Sequence, residues 1–214
     1  FTDTGFCHAL PVAQVPECRL KDRGMPLGGV LAGLESDEKI VEALILPPTE
    51  WAGDLMLATR GGMIKRTPYS EFANLRKSGL IAITLKEDDE LRAVNLTDGN
   101  MSMIIASRLG RSLRFQESAI RVIGRTGMGV HAMRLKEGDE LIDMSMLLEG
   151  QQVLAITTNG YGKRTDPDQY REQGRNGMGI RAMNLTDKTG ELAAHLAVNV
   201  DEDILLITDE RSAE

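Results

Sequence analysis

Three stretches of the chain share one pattern of apolar and polar positions. Residues 55–67 read LMLATRGGMIKRT, residues 103–115 read MIIASRLGRSLRF and residues 153–165 read VLAITTNGYGKRT. Each opens on an apolar run, turns through a small polar segment containing glycine, and returns through a run that carries basic residues. Runs this short, bounded by glycine, predict strands rather than helices, and each pair predicts a hairpin. The turn glycines Gly62, Gly110 and Gly160 suit the positive φ of a tight turn. A weaker copy, FTDTGFCHAL at residues 1–10, turns at Gly5, and DILLITDE at residues 203–210 reads as the first strand of one more copy.

A second half follows each hairpin. GLIAITL (79–85), GVHAMRL (129–135) and GIRAMNL (179–185) align at offsets of 50, with GVLAGL (29–34) as the first equivalent. An acidic turn comes next: ESDEK (35–39), KEDDE (86–90), KEGDE (136–140) and TDKTGE (186–191). Another apolar strand closes the unit, as at residues 40–46 and 141–148. About four short antiparallel strands per roughly 50 residues is the arithmetic of radial β architectures. The expected fold is therefore all-β: a single domain over residues 1–214, built as a propeller-like disc of four-stranded antiparallel blades. Its units run 1–51, 52–100, 101–150 and 151–200, with a closing strand at 201–214. One such sheet cannot bury both faces, but stacked neighbours can. A β-sandwich is the other candidate, and sandwiches do not repeat at this interval.

Composition narrows the class. Of 214 residues 42% are hydrophobic and 27% charged, which fits a globular chain rather than a disordered one. No apolar run approaches the roughly 20 residues of a membrane helix, so no membrane partner is expected. The chain opens on Phe1 without a methionine or leader pattern, which reads as a piece of something longer. Cys7 and Cys18 have no CxxC spacing or histidine cluster, so free thiols in a reducing cytoplasm are expected and a metal site is not.

The net charge of −7, taken whole, argues against nucleic acid. Its distribution changes that. Residues 1–51 carry four Lys or Arg against eight Asp or Glu, and residues 201–214 carry one against six, while the middle units are near neutral. In those middle units cations recur at matching places: Lys65 and Arg66, Arg111 and Arg114, Lys163 and Arg164 on the hairpins. Arg76 and Lys77, Arg125, and Arg175 stand ahead of the glycine-led strands. In a radial array equivalent positions share one height, so a repeated cation makes a belt. Such a belt suits the dense phosphate charge of duplex DNA, contacted without regard to sequence. Solubilising strand residues, multiplied by duplication, would produce the same pattern. The paired motifs GRTGMGV (124–130) and GRNGMGI (174–180) likewise fit close strand packing.

No catalytic constellation is legible. His8, His131 and His195 are far apart, Tyr69, Tyr161 and Tyr170 sit in repeat contexts, and the acidic turns lack the spacing of a calcium loop. The eleven methionines read as core filler.

These motifs together carry a resemblance. GYGKRTDPDQYREQGRNGMGIRAMNL (160–185), GDLMLATRGGMIKRTPYSEF (53–72) and RVIGRTGMGVHAMRL (121–135) resemble repeats of the C-terminal domain of DNA gyrase A subunits. CRLKDRG (18–24) is similar to the corresponding part of topoisomerase IV. The resemblance implies a β-pinwheel whose neighbouring blades exchange a strand and whose basic rim wraps double-stranded DNA. It implies a type IIA topoisomerase as the parent, an ATP-hydrolysing isomerase of two A and two B subunits that introduces negative supercoils. The partners would be DNA, the ATPase B subunit, and the catalytic core of the same A subunit. The domain itself would hold no cofactor, ATP and Mg²⁺ belonging to other domains, and the setting would be the bacterial cytoplasm at the nucleoid. By resemblance, Lys65, Arg66, Arg111, Arg114, Lys163 and Arg164 would face phosphates. The family's hallmark heptapeptide, Q-[RK]-R-G-G-[RK]-G, is degenerate here: QGRNGMG keeps Gln173, Arg175, Gly177 and Gly179 but lacks two basic positions. A weakly wrapping domain of topoisomerase IV type, or a protein-interaction propeller, are the alternatives.

Overall fold

The hairpins form where the apolar runs place them. The computed structural model describes residues 1–19, 21–46, 51–75 and 78–206. The first unit holds β1 (Phe6–Cys7). The second holds β2 (Asp54–Thr59), β3 (Met63–Pro68), β4 (Leu80–Ile81) and β5 (Leu91–Thr97). The third holds β6 (Ser102–Ser107), β7 (Arg111–Gln116), β8 (Val130–His131) and β9 (Leu141–Leu147). The fourth holds β10 (Gln152–Thr157), β11 (Gly162–Thr165), β12 (Ile180–Arg181) and β13 (Leu192–Val198). No α-helix occurs among the described residues, only short 3₁₀ turns. No helix there is long and apolar enough to cross a membrane.

Sheet order shows how the units interlock. One sheet runs β5-β2-β3-β8, the next β9-β6-β7-β12, a third β13-β10-β11, and β1 pairs with β4. The outermost strand of each completed sheet thus comes from the following unit: β4 serves β1, β8 serves β3, and β12 serves β7. A sequence unit and a blade are different things, and neighbouring blades exchange a strand, as the pinwheel resemblance implies. We call the successive sheets blades A to D, with blade A holding β1 and β4.

The glycine-led motif is what permits the exchange. A Cβ on Gly129 would lie 2.4 Å from the Ile64 carbonyl oxygen, and one on Gly179 would lie 2.4 Å from that of Ser112. Both glycines have positive φ, 92° and 67°. Only glycine lets the donated strand approach its host so closely while turning into the left-handed region. Short parallel bridges, Arg66 with Val122 and Arg114 with Glu172, extend each donated strand's grip along the outer edge.

The inner strands β5, β9 and β13 pack blade against blade. Between blades B and C lies the largest core cluster, including Met56, Ile64, Met103, Phe115, Met133 and Met144. Leu55, Phe72, Ile83 and Val94 fill the A–B space, and Ile104, Val153 and Tyr170 fill part of C–D. Several methionines therefore are core filler, but Met25, Met128 and Met178 are exposed.

Two strand expectations are corrected. Residues 29–34 form no strand: Leu27–Gly29 is a 3₁₀ turn, and of residues 40–46 only Ile40 bridges, to Thr2. Residues 29–34 correspond to the donated strands, which exist only by laddering on a neighbour's edge, and no such edge faces them among the described residues. The expected closing strand is likewise absent over 203–206, where Leu205 and Leu206 are exposed; residues 207–214 lie outside the described residues.

Candidate nucleic-acid interface

The repeated cations lie on β3, β7 and β11 and on the segments that cover them, at the outer edges of the sheets. Local packing then divides them. Lys65 is fully buried, and its ammonium donates to the Gly124 carbonyl at 3.1 Å and to the Arg125 carbonyl. Burial pushes its pKa down to about 8. The expectation that Lys65 faces phosphate is therefore corrected. Its place in the repeat is a core position beneath the donated strand, and Leu113, the equivalent on β7, is buried as well. On β11 no donated strand covers the site among the described residues, and the equivalent Lys163 is exposed.

Arg66 and Arg114 are half-withdrawn. Arg66 Nε sits 3.1 Å from Asp54 Oδ2, with the buried Glu117 carboxylate 4.0 Å from its Nη1. Burial raises the Asp54 carboxyl pKa more strongly than Arg66 lowers it. Arg114 donates to Ser102 Oγ at 3.2 Å and to the Pro167 carbonyl at 2.7 Å, and lies 3.3 Å from Asp168. Arg164, the third equivalent, is exposed.

Arg125 and Arg175 are clips between successive donated strands. Arg125 Nη1 donates to the Ile81 carbonyl at 2.7 Å and its backbone N–H to Glu71 at 2.9 Å. Arg175 Nη1 donates to the equivalent carbonyl, that of His131, at 3.3 Å, and remains exposed. Gln173 bonds through its backbone N–H to the Arg114 carbonyl at 2.9 Å, and Gly177 bridges Met133. The heptapeptide-like residues Gln173, Arg175, Gly177 and Gly179 thus lie along the exchanged strand itself. Arg111 is half-buried and stands directly across from Arg181. Arg76 and Lys77 lie outside the described residues.

Exposed cations that the sequence reading passed over include Arg121, Arg171 and Arg181. Arg121 and Arg171 recur at an offset of 50, so the repeat itself carried the signal. Arg121 and Arg175 wall a shallow cleft of about 270 Å³ with Ala119 and Val130.

Other acids are engaged at the hairpin turns. Asp89 accepts from Thr59 Oγ1 at 2.6 Å and from the Gly61 N–H at 2.7 Å, fastening the β2–β3 turn. Asp139 does the same for Ser107 and Leu109 in the next blade. Arg60 reaches Glu90 and Glu140, and Arg108 reaches Glu140 and Glu191, so ion pairs link one blade's turn to the next. Asp89, Glu90, Asp139, Glu140 and Glu191 are thus engaged at the hairpin turns.

Ser112, His195 and Asp143 come together in the interior. Ser112 Oγ lies 3.3 Å from His195 Nε2, but the Asp143 carboxylate accepts from the His195 backbone N–H, not from its ring. Burial lowers the His195 pKa to about 4 and raises that of Asp143 to about 6. The trio is a packing contact between blades C and D rather than a proton relay.

The comparisons with known proteins agree with this architecture. The family model described as "DNA gyrase C-terminal domain, beta-propeller" matches residues 53–98, 102–147 and 151–199. The DNA gyrase A subunit of Halalkalibacterium halodurans is 40% identical over 132 residues, 61% of this chain and 16% of that protein. A solved C-terminal domain of DNA topoisomerase IV has a TM-score of 0.83 at 27% identity, over 93% of this chain and 62% of that one. A solved DNA gyrase A C-terminal domain shares the fold, with a TM-score of 0.76 at 24% identity, over 92% of this chain and 64% of that one. The chain spans about a sixth of the gyrase protein it matches. Three consecutive matches, each spanning one unit's hairpin and inner strand, place it: the chain belongs to the DNA gyrase C-terminal domain, beta-propeller family.

Proposed function

We propose that this domain binds duplex DNA without sequence specificity along the outer edges of its blades. Within the A subunit of a type II topoisomerase, it would bend that DNA toward the catalytic core. The observation that carries the reading is the run of cations on two neighbouring blades, Arg111, Arg171 and Arg181 on blade C and Lys163 and Arg164 on blade D. Among the described residues no acidic side chain pairs with them. Bending a duplex around a small rim costs several kcal/mol, so several phosphate contacts must offset it. In the parent enzyme the bend would set the direction of strand passage and support ATP-dependent negative supercoiling in the bacterial cytoplasm. The B subunit would supply ATP hydrolysis, and Mg²⁺ would act on domains other than this one.

A second reading, weak wrapping of topoisomerase IV type, is favoured by the degenerate QGRNGMG segment and by the withdrawal of Lys65 and Arg66 from the surface. A salt titration of duplex binding tests the proposal. Binding should weaken steeply with salt, and changing both Lys163 and Arg164 to Ala should lower the log–log slope by about 1 to 2. No binding at low salt would overturn DNA recognition and favour a protein-interaction propeller. In supercoiling assays of the parent enzyme, strong chiral wrapping separates the gyrase reading from the topoisomerase IV one.

A further inference from the structure

One register position can be followed around three blades. Where the donated strand meets its host, Phe6 faces Ile81 in blade A, Met63 faces His131 in blade B, and Arg111 faces Arg181 in blade C. The couple changes from apolar to doubly cationic around the rim. Directly opposed residues of an antiparallel pair have Cβ atoms about 4.5–5.5 Å apart, and like charges there are destabilising.

Arg60, Arg66, Arg108 and Arg114 each have a carboxylate within 4.0 Å. No ion pair forms at Arg111 or Arg181 among the described residues, and Arg181 Nη1 reaches only the neutral Asn184 Oδ1, at 3.4 Å. Arg171 and Arg175, also exposed, lie on the same donated segment as Arg181, and the acid between them, Glu172, accepts from Gln116 Nε2 at 2.7 Å.

We infer that Arg111 and Arg181 form a phosphate clamp that anchors the duplex on blade C, an inference that rests on the DNA-binding reading above. A phosphate between the two guanidiniums replaces their repulsion with charge-assisted hydrogen bonds, each planar fork presenting paired N–H groups. Blade B offers no equivalent: its couple is Met63 and His131, its Lys65 is buried and its Arg66 is paired with Asp54. The DNA contact is therefore graded, strongest on the arc of blades C and D and weak by blade B, and the path is shorter than the circumference.

The test uses the whole chain and a duplex longer than the rim. Arg111→Ala and Arg181→Ala should each lower the salt slope by about 1, and the double variant by no more than about 2. Without DNA, the thermal midpoint of each single variant should hold or rise, because a repulsion has been removed. A gain-of-contact variant, His131→Arg at the exposed member of the blade B couple, should raise the slope by up to about 1 and lengthen the protected footprint. A double alanine variant that keeps the wild-type slope, or whose DNA-free midpoint falls with the slope unchanged, overturns the clamp and leaves DNA binding standing. Failure of the wild-type chain to bind duplex at low salt overturns DNA binding itself.

Discussion

Replacing Lys65 by Met separates a structural cation from a DNA-binding one. The Lys65 ammonium sits under the donated strand with two backbone carbonyls as partners, and burial holds its pKa at about 8 against the usual 10.5. A lysine whose folded pKa is depressed adds stability only as pH rises through that value, because the unfolded chain then binds more protons than the folded one. Between pH 7 and pH 10 the wild type should therefore gain up to about 2.5 kcal/mol relative to Lys65→Met, a variant with nothing to titrate there. Urea unfolding of both proteins at matched pH values measures that gap. The same substitution should leave the salt slope of duplex binding unchanged. A stability difference that stays flat from pH 7 to 10, or a slope that falls by about 1, would refute the assignment of Lys65 to the core.

Three further outcomes test other parts of the account. Gly179→Ala forces a Cβ to within 2.4 Å of a backbone oxygen at positive φ, and should destabilise by about 2 kcal/mol or more. Gly174→Ala, which meets nothing within 4 Å, should stay within about 0.5 kcal/mol by the same denaturant titration. Arg66→Ala strands Asp54 and the buried Glu117, and should cost about 2–4 kcal/mol in unfolding free energy without moving the salt slope. His195 has a depressed pKa, so the stability it contributes is present above pH 6.5 and lost as pH falls through about 4. Asp143, raised to about 6, acts in the opposite sense over pH 4–6. His195→Gln should therefore leave a protein whose stability falls as pH rises across that window, and NMR titration should find the wild-type His195 ring neutral at pH 5.

The hairpins are legible in the sequence because their order is local. Alternation, a turn glycine and a returning strand are all contained in a dozen residues, and Gly62, Gly110 and Gly160 all adopt the positive φ their place in the turn requires. The partner of each donated strand is not local. Gly129 is visible as a glycine that something approaches, but that something is Ile64, 65 residues earlier, and only the stacking of blades brings the two together. The same stacking explains why Lys65 reads as a surface cation and is not one. In a sheet with one wet face, alternation separates inside from outside. Met63, Ile64 and Lys65 are successive residues of β3 and all three are buried, because blades cover both faces. Parity then says nothing about exposure. Arg121 and Arg171 are legible by the repeat but have no obvious place until the parallel bridges put their neighbours Val122 and Glu172 on the outer edges. The crossing of Arg111 and Arg181 depends on strand exchange, and no reading of either residue in its own unit finds it.

Site-specific photocrosslinking tests the central claim most directly. A photoreactive residue is placed in turn at position 164, at position 181, and at Asp88 on the acidic turn between β4 and β5, and each protein is irradiated with duplex DNA at low salt. The account predicts crosslinks from positions 164 and 181 and none from position 88. Crosslinks from position 88 with none from the other two would place the duplex on the turn side and contradict the outer edges of blades C and D as the DNA-binding surface.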